Sequence, residues 1–168
     1  MRLLIVSDIH ANWPALQAIQ ERADVVVCLG DIVSYGPYPR ECLAWVRERA
    51  VHVVRGNHDT ALAYEAESGA AAFKRDLAVA TLERHRRLLE KEDLAWLRAL
   101  PTEVNFRVED YRFYAVHAAP TDHLFSYRLT PDLGDEELRK EVAEVRVTPG
   151  GTAGVFELFE LWLSGEGP

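Results

Sequence analysis

The sequence predicts an α/β domain built on a mainly parallel sheet, and three observations lead there. Three short apolar runs, residues 3–6, 25–29 and 51–54, have the length and composition of buried strands, and helical patterns fill the intervals between them. Each run closes on a polar cluster: Ser7-Asp8-Ile9-His10, Gly30-Asp31, and Arg55-Gly56-Asn57-His58-Asp59. The composition, 48% hydrophobic and 27% charged over 168 residues, suits one globular domain with room for a sizeable core.

The elements follow in order. Leu3-Leu4-Ile5-Val6 is a continuous apolar strand, covered on both faces. Asn12 offers a helix cap, Pro14 suits a first turn, and Leu16, Ile19 and Ala23 recur at helical spacing. The β-branched run 25–29 ends at Gly30-Asp31, and a Gly- and Pro-bearing loop, residues 35–39, leads into a helix over 40–49. The run 51–54 is the third strand. Residues 60–100, rich in Ala, Leu, Glu and Arg, read as helical up to Pro101. Residues 104–108 and 112–116 form a hairpin turning at Glu109-Asp110, and its second strand delivers His117. A helix is expected over 132–145, with Asp135, Glu136 and Glu137 in its first turn. The breaker cluster Thr148-Pro149-Gly150-Gly151-Thr152 then divides a body, residues 1–146, from a divergent tail, residues 147–168. Within that tail the apolar run 155–163 carries Glu157, Glu160 and Ser164 on one stripe, as a short amphipathic helix would.

Several function classes are excluded or disfavoured. A formal net charge of −8 argues against binding extended nucleic acid. The two cysteines, Cys28 and Cys42, have no zinc-type spacing and read as reduced, buried thiols. No apolar stretch is long enough to span a membrane and nothing resembles a signal peptide, so the cytoplasm is the expected location and no membrane partner is expected. GxxxxGK[ST] and GxSxG are both absent.

In parallel sheets, functional side chains gather at the carboxyl ends of the strands, and the polar clusters sit there. Asp8 and His10, two apart in extended geometry, point the same way and could grip one ion. Asp31 has two oxygens and could bridge two ions, Asn57 offers a neutral amide oxygen, and His117 a ring nitrogen. Such a set without thiolate suits Mn²⁺, Fe, Co²⁺ or Zn²⁺ in an open site. His58 could hydrogen-bond a phosphoryl group or protonate a leaving oxygen, with Asp59 orienting its ring. Asn12 and Arg55 stand near the rim and could touch phosphate, although Asn12 is equally explained as a cap. Tyr35 and Tyr38 are placed to border a cleft. Among the other histidines, His52 alternates with valines and reads as structural, and His85 lies among Arg84, Arg86 and Arg87 on a solvated helix face. His123 could contact substrate or stand in for a missing ligand. Trp13, Trp45, Trp96 and Trp162 fall in helical patterns and read as packing residues.

Together, Ser7-Asp8-Ile9-His10-Ala11-Asn12, Leu29-Gly30-Asp31-Ile32-Val33, Arg55-Gly56-Asn57-His58-Asp59 and Val116-His117 resemble the motifs of the calcineurin-like metallophosphoesterase superfamily. Gly36-Pro37-Tyr38-Pro39 is similar to a branch of small bacterial and archaeal members, and the resemblance covers about residues 1–125. It implies a β-sandwich flanked by helices. It implies that Asp8 and His10 hold a first divalent ion, that Asp31 bridges, that Asn57 and His117 hold a second, and that His58 assists catalysis. The implied activity is hydrolysis of a small phosphomonoester or phosphodiester by a hydroxide held between two ions of the Mn, Fe, Zn, Co or Ni class. The family's last motif, Gly-His-x-His after a further strand, gives a ligand to each ion; here no histidine follows His123. Each ion is therefore expected to keep three protein ligands with Asp31 shared, one site being weak or empty. The second sheet is expected to be incomplete, and the apolar tail to be covered by self-association into a homo-oligomer. The alternative is a weak or inactive member that serves as a binding scaffold; retention of Asn57-His58-Asp59 favours the enzyme.

Overall fold

Side-chain alternation along the first strands separates two layers of core. In the computed structural model, which describes residues 1–130, 132–143 and 145, β1 (Leu3–Val6), β2 (Val25–Cys28) and β3 (His52–Val53) form a parallel sheet in the order β1-β2-β3. The register sets Leu3 beside Val25 and Val6 beside Cys28, and β3 pairs only through Val27–His52 and Cys28–Val53. Successive strand residues face opposite ways. Leu3, Ile5, Val25 and Val27 therefore face an antiparallel pair, β4 (Glu103–Val108) and β5 (Tyr111–Val116), where Val104, Phe106 and Ala115 join them in one apolar cluster. Leu4, Val6 and Cys28 face the other way, into the larger core beneath the helices. The result is the expected α/β sandwich flanked by helices, its second sheet two-stranded among the described residues.

His52 stacks on Phe106, their centroids 4.3 Å apart, and Phe106 stacks on Phe113 at 5.0 Å. This ladder joins the two sheets and gives His52 the structural role its sequence context suggests.

The helices are α1 (Trp13–Ala18), α2 (Pro39–Arg49), α3 (Asn57–Tyr64), α4 (Arg75–Leu88), α5 (Lys91–Ala99) and α6 (Asp135–Ala143), with a short 3₁₀ turn at Ala72–Lys74. The single helical stretch expected over residues 60–100 is in fact three helices. Glu65 ends α3 in the left-handed region at φ 56°, and α5 restarts where the Glu90 N–H donates to Asp93 Oδ2. More consequentially, α3 begins at Asn57, so Asn57, His58 and Asp59 form a helical first turn rather than a loop.

On α4, Ala78, Leu82 and His85 are buried at spacings of four and three residues, one stripe of a helix. His85 is fully buried, which corrects its expected place on a solvated face. Each helical residue is rotated by roughly 100° from the last, so arginines adjacent in sequence point elsewhere. Trp13, Trp45 and Trp96 pack against the helical core as expected. Arg47 links α2 to α5 through Asp93 at 2.7 Å and lies over the Trp96 ring. Both cysteines are free and buried, and burial pushes each thiol upward, so neither is poised to react. Glu141 on α6 accepts from the Thr121 N–H and hydroxyl, tying α6 to the loop after β5. No helix among the described residues is long and apolar enough to cross a membrane. The tail expected over 147–168, with its amphipathic helix and Trp162, lies outside the described residues.

Candidate metal centre

The candidate ligands converge through tight turns rather than extended backbone. Asp8 and His10 both adopt left-handed φ values, 51° and 48°, as does Asp31 at 53°. Such conformations cost on the order of 1–3 kcal/mol each and persist only where surroundings over-determine them. Here the Asp8 N–H donates to Gly30 O at 3.1 Å, His10 N–H to Asp31 O at 2.8 Å, and Ala11 N–H to Ile32 O at 2.8 Å. The loops after β1 and β2 therefore lock each other. His10 Nε2 comes to lie 3.6 Å from Asp8 Oδ1 and 3.9 Å from Asp31 Oδ2. Donor atoms of Asp8, His10 and Asp31 fall within 4.8 Å of one another.

Two glycines permit this approach. Gly30, at φ 97°, would place a Cβ 2.5 Å from the Gly56 nitrogen, and a Cβ on Gly56 would collide with the Asp31 carboxylate. Asp31 is 2% exposed. Its Oδ1 accepts from the His58 N–H at 2.9 Å, while Oδ2 looks toward His10 and lies 3.5 Å from His117 Nε2. Burial pushes its carboxyl up to about 6, against the pull of His117 and His10.

The orientation of the remaining donors is fixed from behind. His10 Nδ1 donates to Val33 O at 3.1 Å and His117 Nδ1 to Leu29 O at 2.9 Å. A carbonyl only accepts, so each Nδ1 carries the proton and each Nε2 lone pair faces the centre. The Asn57 amide nitrogen donates to Ser68 O, which turns Oδ1 inward to 2.8 Å from His117 Nε2. Two lone pairs at that distance repel unless a cation or a proton lies between them. Burial disfavours charge on His117, but Asp31 and Asp8 outweigh it and its pKa lies above the usual value. Two carboxylates, two imidazole nitrogens and an amide oxygen, without thiolate, fit a divalent cation in an open site.

His58 is buried beside this set. Its Nε2 is 3.4 Å from the Tyr35 hydroxyl, and its Nδ1 has no hydrogen-bond partner among the described residues. Its ring packs edge-on against His10 at 5.1 Å and tilted against Tyr35 at 4.8 Å. Burial, then His10, His117 and Lys74, push its pKa down to about 3, leaving a neutral imidazole at neutral pH.

The structure brings Asp8, His10, Asp31, Asn57, His58 and His117 together, and it places the other expected residues differently. Asp59 does not touch the His58 ring. Its Oδ1 accepts from the Ile32 and Val33 N–H groups at 2.9 and 3.2 Å, and its Oδ2 from Gly56 at 3.1 Å. It pins the loop after β2 to the first turn of α3. Arg55 turns to Thr60, Tyr64 and the carbonyls of Arg98 and Leu100. Asn12 is exposed and caps α1, accepting from Ala15. His123 contacts Tyr114 and Thr102 on the hairpin side and joins none of the ligands.

Three contributors went unassigned in the sequence. Ser68 orients Asn57. His85 Nδ1 accepts from the Ser34 N–H at 3.1 Å and its Nε2 donates to Gly36 O at 2.8 Å. Thr81 Oγ1 accepts from the Tyr35 N–H at 3.0 Å. Together α4 holds Ser34 and Tyr35 at φ 79° and 56°, and so sets the Tyr35 ring against His10 and His58. The spacing of Ala78, Leu82, His85 and Leu89 was the signal for the buried histidine; Ser68 gave none.

Against known proteins, the calcineurin-like phosphoesterase family matches residues 1–165. An uncharacterised protein of Methanocaldococcus jannaschii is 30% identical over 139 residues, which is 80% of this chain and 56% of that protein. The symmetrical bis(5′-nucleosyl)-tetraphosphatase of Chromohalobacter salexigens is 34% identical over 119 residues, 68% of this chain and 42% of that protein. A solved metallophosphoesterase from Sphaerobacter thermophilus is 37% identical with a TM-score of 0.59, covering 76% of this chain and 50% of that one. The chain spans about half the length of the curated relatives it matches.

Proposed function

The chain belongs to the calcineurin-like phosphoesterase family, and from that premise we propose that it hydrolyses small phosphomonoesters or phosphodiesters with two divalent ions held by Asp8, His10, Asp31, Asn57 and His117. Asp8 and His10 serve the first ion, Asn57 and His117 the second, and Asp31 both. When bound, such ions supply Lewis-acid charge for the phosphoryl oxygens and make water a better nucleophile. Small phosphorylated molecules are the proposed substrates, in keeping with the name of the Chromohalobacter relative, a bis(5′-nucleosyl)-tetraphosphatase.

The observation that carries this reading is the way the three neutral inward donors are fixed from behind. His10 Nδ1, His117 Nδ1 and the Asn57 amide nitrogen are each tied to a backbone carbonyl. Three unrelated hydrogen bonds thus aim three lone pairs at one place, beside two carboxylates. A scaffold needs none of them. In this reading His58, neutral and buried with Nε2 toward the Tyr35 hydroxyl, donates a ring N–H hydrogen bond to the phosphoryl group or the leaving oxygen and keeps its proton. Asp59 acts through position, by holding the Asp31 loop on α3.

The test is the initial rate of bis(p-nitrophenyl) phosphate hydrolysis by metal-stripped protein titrated with Mn²⁺. A saturable rate is expected, and Asp31→Ala should lower it by about 10³-fold or more while the near-ultraviolet circular dichroism stays native. An equal rate in Asp31→Ala, or none at any Mn²⁺ concentration from folded protein, contradicts the proposal.

A further inference from the structure

The hydrogen bonds that orient His10, His117 and Asn57 all end on backbone carbonyls, but the ring of His58 has no such anchor. His58 is 4% exposed and its Nδ1 has no hydrogen-bond partner among the described residues. Asp59 beside it is occupied by other N–H groups. Among the described residues, the one group hydrogen-bonded to the ring is the Tyr35 hydroxyl, 3.4 Å from Nε2. Torsion about the bond to an imidazole is broad, so such a ring needs a partner to fix its direction. Tyr35 also supplies packing: the centroids of Tyr35, His10 and His58 form one triangle, with sides of 4.7, 4.8 and 5.1 Å.

Tyr35 is held there from two sides. Ser34 and Tyr35 are consecutive residues in the left-handed region, at φ 79° and 56°, which neither side chain favours. From α4, Thr81 Oγ1 accepts from the Tyr35 N–H, while His85 accepts from the Ser34 N–H and donates to Gly36 O. From the other side, the Gly36 N–H donates to His10 O at 2.9 Å, and a Cβ on Gly36 would lie 2.4 Å from that oxygen. The tyrosine is thus wedged between a helix and the turn of a candidate ligand. Strain maintained by several elements at the edge of a site is a reason to look for function there. The Tyr35 hydroxyl makes no other hydrogen bond among the described residues.

We propose that Tyr35 is a positioning residue for His58: its hydroxyl accepts from the Nε2–H and so fixes both the tautomer and the direction of the ring before substrate arrives. The inference rests on the phosphoesterase reading above, in which His58 donates a ring N–H. Nδ1 is buried without an acceptor, so the donating nitrogen is Nε2 and the proton sits there. A hydroxyl oxygen can accept it, and a bond of 3.4 Å is long enough to yield to a charged phosphoryl oxygen. Tyr35 belongs to no ligand set and acts on the reaction only through His58.

Tyr35→Phe keeps the ring and removes the oxygen. By nitrogen NMR of histidine-labelled protein, metal-free and again with diamagnetic Zn²⁺, the wild-type His58 ring is expected in a single tautomer with its proton on Nε2. Tyr35→Phe should turn this into a mixture of tautomers and leave His10 and His117 protonated on Nδ1 as before. With Mn²⁺ and bis(p-nitrophenyl) phosphate, Tyr35→Phe should lower kcat about fivefold, the scale of one neutral hydrogen bond, with KM little changed. Made in a His58→Ala background, the same substitution should lower kcat no further, because a positioning group loses its effect with the residue it positions. A merely structural tyrosine would cost the same factor in both backgrounds, and that result overturns the proposal. So does a His58 ring that stays in one tautomer in Tyr35→Phe. If wild type hydrolyses nothing while Tyr35→Phe still frees the ring, the positioning stands and the catalytic reading falls. If hydrolysis proceeds at the same kcat in wild type and Tyr35→Phe, only the positioning falls.

Discussion

The rim of the parallel sheet gives the candidate centre Asp8, His10, Asp31 and Asn57, whereas the antiparallel hairpin gives it His117 alone. On the first side the turns of Asp8 and His10 are hydrogen-bonded to the loop after β2, and Asp59 ties that loop to α3 through three buried N–H groups. On the second side His117 is oriented by one bond to Leu29 O, and the hairpin docks through the His52–Phe106–Phe113 stack and one apolar cluster. The contrast teaches how strained ligands are kept. Left-handed Asp8, His10 and Asp31 demand cross-links from several elements, while a histidine arriving at the end of a regular strand needs one.

If the parallel rim is held as described, the largest loss follows from removing its clamp. Asp59→Ala leaves three buried N–H groups without an acceptor and should cost about 3 kcal/mol or more, read as a lower urea midpoint. A loss below about 1 kcal/mol would remove the basis for the comparison, because a group of that kind is far from indifferent to its partner. A smaller effect is expected at His85, which clamps the neighbouring turn at Ser34 and Gly36. Burial lowers its pKa, with Gly36 O opposing and Arg84 assisting. As pH falls below the ordinary value near 6.5, the unfolded chain takes up the proton before the folded one does, so this histidine's contribution to stability declines with acidity. His85→Gln should therefore be less stable than wild type by about 1 kcal/mol at pH 7.5, and the gap should narrow at pH 5.5. A gap that widens toward acid contradicts the assigned environment.

The sequence was legible where residue type and strand end coincide. Apolar runs located β1 and β2 to within a residue, and Asp8, His10, Asp31, Asn57, His58 and His117 could be chosen because a polar side chain at such a position needs a reason. Conformation was hidden. Nothing in Asp-x-His says that both residues turn left-handed rather than extend, since the stabilising bonds come from Gly30, Asp31 and Ile32 on another loop. Arg55 and Asp59 look like site residues by adjacency, and their hydrogen bonds lead to α5 and to the loop after β2 instead. His85 was masked by the arginines around it, although its helical spacing placed it on the buried stripe. Side-chain direction depends on elements far away in sequence, which no local pattern encodes.

The most direct test of the central claim, that these two rims together hold metal, is a calorimetric titration of the metal-free protein with Mn²⁺, repeated on His10→Ala and His117→Ala. Wild type should bind two ions per chain. Each variant should weaken one binding step by about 10–100-fold and leave the other recognisable. Two variants that titrate like wild type, or a folded wild type that binds no Mn²⁺, would contradict the account.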